Sequence, residues 1–430
     1  MTAPTLAGVS PAATTPDITP APLAAPPLEA YAVPPRAPAR GAVVRALTRR
    51  MGRFVEARIV LPDGSVIGPS RPDLPVLRVH SWAFFDRVGI DAKIGVGEGF
   101  MAGEWSPGPG TDLADLLTPF AARLAELVPA PLARLRRLAE PRHPGHHRGE
   151  RVHAAANIAH HYDLQPDFFA LFLDPTLTYS AARFAPGDPS GVEGLEIAQR
   201  RKIDAILDDA RVGPGTHVLE IGTGWGQLAI QAAQRGASVE TITLSHSQRD
   251  VAVQRIAAAG LSDRVAVDVR DYRDITGTYD AVVSVEMIEA VGYEFWGDYF
   301  TALARATRPG GVVALQAITM PHERMLASRH AFGWIQKHIF PGGLIPSPEA
   351  ITQHARAAGL VPASRRSLRD DYASTLRVWR ERFVGRREEV LALGFDPVFL
   401  RLWEFYLAYS EAGFRSGHLD VLQLGLYRAG

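Results

Sequence analysis

Gly222-Thr-Gly-Trp-Gly226 spaces three glycines directly after the short apolar run 218–221 and before LAIQAAQRG, which carries the pattern of a helix. A strand, a turn nearly free of side chains and a helix N-terminus together make a cradle for a nucleoside-bearing ligand. A Cβ at Gly222 or Gly224 would occupy that ligand's space, and Glu220 at the strand's carboxyl end can face the same crevice.

The elements that must position this loop follow in order. SVETITLS (238–245), RVAVDVRDY (264–272) and YDAVVSVEMIEAVG (279–292) alternate with helical patterns. Strand, glycine loop, helix and three further strands in this register resemble the class I S-adenosylmethionine (SAM) methyltransferases. That resemblance implies an α/β fold with a Rossmann-like seven-stranded sheet, joined to a smaller N-terminal α+β domain. DNA amino-methyltransferases of this fold carry Asn/Asp-Pro-Pro-aromatic after the fourth strand, where this chain has Glu286-Met-Ile-Glu-Ala-Val.

Composition narrows the setting. Lys plus Arg and Asp plus Glu both number 46, so no global basic field draws the chain to nucleic acid. The absence of cysteine removes disulfides, Cys-based zinc sites and Cys nucleophiles together, and fits a reducing cytoplasm. Neither a secretory signal nor a membrane-length apolar run is present, so contact with lipid is expected to be peripheral, at the inner face of the membrane.

Residues 1–40 are dominated by Pro, Ala and Thr and read as a disordered tail. A small domain is expected over 41–128, with a hairpin around Asp63-Gly64-Ser65 and a helix from Asp112 to about Leu127. A basic stretch over 129–152 carries six arginines and reads either as a solvated linker or as a contact with anionic headgroups. The catalytic domain is expected over 153–430, with an acyl-chain lid at about 320–385 broken by Pro and Gly, and an antiparallel edge strand at its end.

HYDL, LDPTLTYS, VLEIGTGWGQLA, TITLSHSQ, RDYRDI, VSVEMIEAVG, IFPGG and DDYASTL, in that order, closely resemble the cyclopropane-fatty-acid synthase and mycolic-acid methyltransferase family. GEGFMAGEW resembles the N-terminal domain of its longer, phospholipid-acting members. The resemblance implies that SAM is held by Tyr179, Ser180, Glu220, Gly222, Gly224, Thr243, Leu244, Ser245 and Gln248, with Arg270, Asp271 and Tyr272 near the adenine. The second strand ends in Thr-Leu-Ser without the usual acid, so neutral groups must hold the ribose; Gln248, one turn into the next helix, can reach back.

The family's chemistry is methylation of a cis double bond in an acyl chain. A poorly nucleophilic alkene requires alignment, exclusion of water and tolerance of a carbocation, for which aromatic faces are suited. Candidates are Tyr179, Trp225, Trp334, Phe340, Tyr372 and Tyr406; taken singly each reads first as core packing, except Tyr179 and Tyr372, which fall on motif positions of the family. The resemblance places Glu289, Tyr372, Ile318, Gln316 and His161 at the reacting centre. In cyclopropane synthases a bound bicarbonate removes the final proton. Glu289, Ile318 and Tyr372 match its binding set, whereas the cysteine is Ala181 and the histidine is Gln316. Either bicarbonate is held by fewer donors, or Glu289 with an ordered water takes over.

The altered base position favours a 10-methylene chain, formed after a hydride shift, over a cyclopropane. SVEMIEAVG and QAITMPHERML also look like the actinobacterial enzymes that make precursors of tuberculostearic acid. A flavin- or nicotinamide-dependent reductase is then the expected partner, the phospholipid bilayer surface the substrate, and a homodimer the assembly. A small-molecule O- or N-methyltransferase and a SAM- or lipid-binding module without turnover are the rival readings.

Overall fold

The computed structural model describes residues 36–123, 166–187, 194–329 and 331–429. Residues 1–35, the basic stretch 129–152 and His161 lie outside them. Among the described residues the first element is the helix Pro38–Met51, which starts ahead of Gly41 where the composition changes.

The alternating segment around Asp63 forms the expected hairpin. β1 (Arg58–Val60) pairs antiparallel with β2 (Val66–Ile67), and Asp63 Oδ1 accepts from the Ser65 N–H at 3.0 Å. β3 (Val76–Val79) and β4 (Trp105–Pro107) complete a sheet of order β2-β1-β3-β4. This unit is not insulated from the remainder of the chain. Phe100 and Trp105 pack on Phe405 at ring separations of 5.7 and 6.2 Å, within one continuous core that also takes in the helices Arg369–Gly385 and Pro397–Arg415. Asp112, which caps the helix Leu113–Ala122, also accepts from Arg380 at 2.7 Å. The burial of Arg380 is balanced by that carboxylate and by Glu411, at 3.0 Å.

The second sheet comprises β5 (His217–Ile221), β6 (Ser238–Thr243), β7 (Val265–Val269), β8 (Tyr279–Val285), β9 (Thr307–Thr319), β10 (Leu360–Ser367) and β11 (Asp420–Arg428), in the order β10-β11-β9-β8-β5-β6-β7. β5 to β9 are parallel neighbours, and their carboxyl ends open on the site. β11 is antiparallel as expected, but it is not the edge: it inserts between β9 and β10. Residues 421–426 are buried throughout, which demands neighbours on both sides, whereas β10 is largely exposed.

The segment expected as a lid over about 320–385 divides into two parts. Its Pro- and Gly-broken part forms the short helices His322–Ser328 and Trp334–His338, then Pro348–Ala357. Past residue 359, β10 belongs to the sheet and the helix Arg369–Gly385 to the core.

Candidate active site

The glycine loop adopts the conformations its composition allows. Gly222 and Gly224 have φ of 101° and 51°, in the region that side-chain-bearing residues avoid. They serve different ends. A Cβ on Gly224 would meet nothing within 4 Å, which marks open space above the turn, whereas one on Gly222 would lie 2.7 Å from Met287 Cγ. Gly222 therefore admits a neighbouring side chain and Gly224 admits a ligand. Beneath the loop, the buried Glu220 accepts from the Thr241 hydroxyl at 2.6 Å, and Thr241 lies 2.8 Å from the loop's Thr223. Burial pushes Glu220 up to about 8, so it acts as a protonated brace under the loop rather than as a wall of the crevice.

At the end of β6, the Thr243 hydroxyl donates to Gln248 Oε1 at 2.8 Å, and Ser245 caps the following helix by accepting from the Gln248 N–H at 3.2 Å. Gln248 thus reaches back as its position suggested, and Leu244 lies between these two polar anchors. The next loop departs from expectation. The guanidinium of Arg270 is directed to Glu240 and Asp268. Asp271 holds Arg273 at 2.6 Å, and Tyr272 packs edge-on against Tyr299 at 5.3 Å. The open space at Gly224 and the Thr243–Gln248 pair fit SAM, whose sulfonium supplies an electrophilic methyl group when bound.

The acid-bearing loop after β8 gathers the remaining candidates. Glu289 Oε1 accepts from the Ile318 N–H at 2.5 Å, and its Oε2 is buried with no partner among the described residues. Burial and the neighbouring Glu286 push Glu289 up to about 8. Gln316 and Tyr372 do not turn to Glu289 or to an open anion site. Gln316 Nε2 donates to Glu286 Oε1 at 2.8 Å, the Tyr372 hydroxyl donates to Glu286 Oε2 at 3.1 Å, and the Ala181 N–H donates to Glu286 Oε1 at 3.1 Å. The donors expected to hold bicarbonate are therefore already taken, and the described residues do not fit that ion.

Behind Glu286 runs a row of amides whose direction is determined. A carboxylate only accepts and a guanidinium only donates. Gln316 must present its NH2 to Glu286, so its Oε1 accepts from Gln423 Nε2 at 3.0 Å, and Gln423 Oε1 accepts from Arg366 at 2.8 Å. The strand register supplies this row, since Gln316 and Gln423 face each other across β9 and β11. Arg366 is anchored in turn by Asp209 at 2.9 Å.

Lys202, on the helix Leu195–Asp209, was not among the residues singled out in the sequence. It is buried and donates to the Ser180 hydroxyl at 2.7 Å. Burial pulls it down to about 8, opposed chiefly by the charge of Glu286. The signal that could have found it is positional: Lys202 occupies the buried face with Ala198, Ala205 and Ile206, where a cation is out of place unless acids meet it. Ser180 is thereby fixed by protein, its carbonyl also accepting from Gln199 at 2.8 Å.

Of the aromatic candidates, Tyr179 stacks on Trp379 at 5.2 Å and shares a 2.8 Å hydroxyl contact with Tyr406. Phe340 meets Tyr406 edge-on at 6.0 Å. Trp225 and Trp334 are core residues, packed on Phe169 at 4.9 Å and on Phe405 at 4.8 Å. The lid adjoins the acids directly, because the Leu344 N–H donates to the Glu289 carbonyl at 2.8 Å.

A family model described as mycolic acid cyclopropane synthetase matches residues 150–424. The tuberculostearic acid methyltransferase UfaA1 of Mycobacterium tuberculosis is 53% identical over 405 residues, 92% of this chain and 93% of that protein. The cyclopropane-fatty-acyl-phospholipid synthase of Escherichia coli is 31% identical over 81% of this chain and 86% of its own length. Among solved structures, mycolic acid cyclopropane synthase CmaA1 complexed with SAH and CTAB superposes with a TM-score of 0.58 at 31% identity, covering 64% of this chain and 98% of that one. With the SAM crevice and the acid-lined pocket beside it, these similarities show that the chain belongs to the mycolic acid cyclopropane synthetase family, SAM-dependent methyltransferases acting on fatty acyl chains.

Proposed function

We propose that the protein methylates the cis double bond of oleoyl-type chains in membrane phospholipids and releases a 10-methylene-branched acyl chain. The observation that carries this reading is the 53% identity to a tuberculostearic acid methyltransferase, which extends over 92% of the chain and so includes the N-terminal unit. The site supports it. Tyr179, Phe340 and Tyr406 offer π faces to a cation formed in the acyl chain, and the neighbouring acids Glu286 and Glu289 between them supply one negative charge and a proton acceptor. The lid that meets Glu289 keeps water from quenching that cation.

The proposal includes a bilayer surface as the place of reaction, a homodimer as the assembly, and a flavin- or nicotinamide-dependent reductase that turns the methylene into a methyl branch. Among the described residues no helix is long and apolar enough to cross a membrane. The test is incubation of the purified chain with labelled SAM and vesicles of dioleoyl phospholipid, followed by olefin-specific derivatisation and fragmentation. Methylene and cyclopropane products share a mass. A new olefin at carbon 10 supports the reading, whereas a product that resists derivatisation assigns a cyclopropane synthase instead.

A further inference from the structure

Glu286 is one of three non-glycine residues at positive φ among the described residues, at 52°. A residue held there immediately after β8 needs its surroundings to impose the conformation, and such strain gathers at functional positions. What the conformation achieves is visible in its partners. The carboxylate meets the Ala181 N–H, Gln316 Nε2 and the Tyr372 hydroxyl at 3.1, 2.8 and 3.1 Å. All three belong to positions at which resemblance places the cradle of an exchangeable bicarbonate. That ion would bring a further anion beside Glu286 and the Glu289 carboxyl group, to donors already engaged.

We propose that Glu286 is the built-in counterpart of that ion: its carboxylate is the proton acceptor of the reaction, which runs without bicarbonate. The inference rests on the alkene-methylation reading above. After methyl addition and the hydride shift, one C–H bond of the new methyl breaks. Its electron pair becomes the π bond of the exocyclic methylene and its proton passes to Glu286. The accepting atom is Oε2, because Oε1 already receives two donors and Oε2 only one. The proton leaves to solvent after the lipid product departs. Glu289 is then the neutral neighbour, in keeping with the nearby charge of Glu286, which adds to burial in raising it, and with an Oε2 that has no partner among the described residues. The directed row Arg366, Gln423 and Gln316 is the positioning apparatus that keeps an N–H, never an oxygen, turned to Glu286.

The experiment compares wild type, Glu286→Gln and Glu286→Gly in decarbonated buffer with and without tens of millimolar bicarbonate, using labelled SAM and dioleoyl phospholipid vesicles. Calorimetric SAH binding checks that each variant is folded. Wild type should turn over equally, within twofold, in both buffers. Glu286→Gln should lose at least a hundredfold, the scale of a removed general base, with no rescue. Glu286→Gly should lose as much in decarbonated buffer and regain activity with bicarbonate, because the three freed donors can then hold that ion. An independent readout is binding of 13C-bicarbonate by NMR, absent for wild type and saturable for Glu286→Gly. A wild type that binds bicarbonate or needs it, or a fully active Glu286→Gln, would overturn the inference. Absence of all lipid turnover by wild type would instead remove the alkene reading, leaving the NMR result to decide what occupies the anion position.

Discussion

The two loop glycines separate a packing requirement from a ligand requirement, and alanine at each should reveal it. At either position an added side chain pays for left-handed backbone with about 1–2 kcal/mol, offset by about 0.4–1 kcal/mol from a stiffer unfolded chain. At Gly224 nothing surrounds the new methyl, so the net loss of stability should be about 1 kcal/mol. At Gly222 the methyl would fall 2.7 Å from Met287 Cγ and 2.9 Å from its Sδ. Overpacking of that kind adds about 1–3 kcal/mol, for a total of about 2–4 kcal/mol. Urea melts measure these losses, and calorimetric titration with SAH measures the crevice. Gly224→Ala should lose only about 1 kcal/mol in the melt yet bind SAH at least tenfold more weakly. Gly222→Ala should melt earlier and regain part of its stability in combination with Met287→Ala. Wild-type SAH affinity in Gly224→Ala, or no rescue by Met287→Ala, would refute the division.

Removing a buried cation from among acids is costly, so Lys202→Met should lose about 3–5 kcal/mol in chemical denaturation. It should also move the acid limb of the pH–rate profile upward, since a carboxylate that loses a nearby cation keeps its proton to higher pH. Burial tends to raise Glu98, but hydrogen bonds from His338 and Lys337 outweigh it and hold the acid at about 2. Its contribution is fully present above the ordinary value of 4.5 and lost as pH falls towards 2, about 3 kcal/mol in all, and Glu98→Gln should flatten acid melts in that window. Gly97→Ala would set a methyl 2.4 Å from the Trp334 indole nitrogen and displace the lid helix, which should raise KM for lipid several-fold while leaving KM for SAM unchanged.

Much of this was legible because it is local. The glycine loop, the order of the strands and the reach of Gln248 to Thr243 follow from residue types at short separations, where periodicity and side-chain length decide. What was not legible depends on long-range pairing. Nothing near Gln316 in sequence announces Gln423, and only the β9–β11 register makes them neighbours. In the sequence Lys202 is one cation among several on a helix, and only the fold brings Glu286 close to it. Glu286 itself stood in view within EMIEAV, but the resemblance pointed three residues further, to Glu289. Only the backbone turn at 286 shows which carboxylate collects the donors.

The amide row makes Arg366, on the outermost strand and two strands from Gln316, an electrical determinant of the pocket. It has a polarity, like a diode: a donor-only head and an acceptor-only tail leave each glutamine a single orientation. Exchanging Arg366 for an acid would invite both amides to rotate, delivering a carbonyl oxygen against Glu286. Drift at 366, 423, 316 and 286 is thus expected to be concerted, with reversal at one end tolerated only when the other reverses as well.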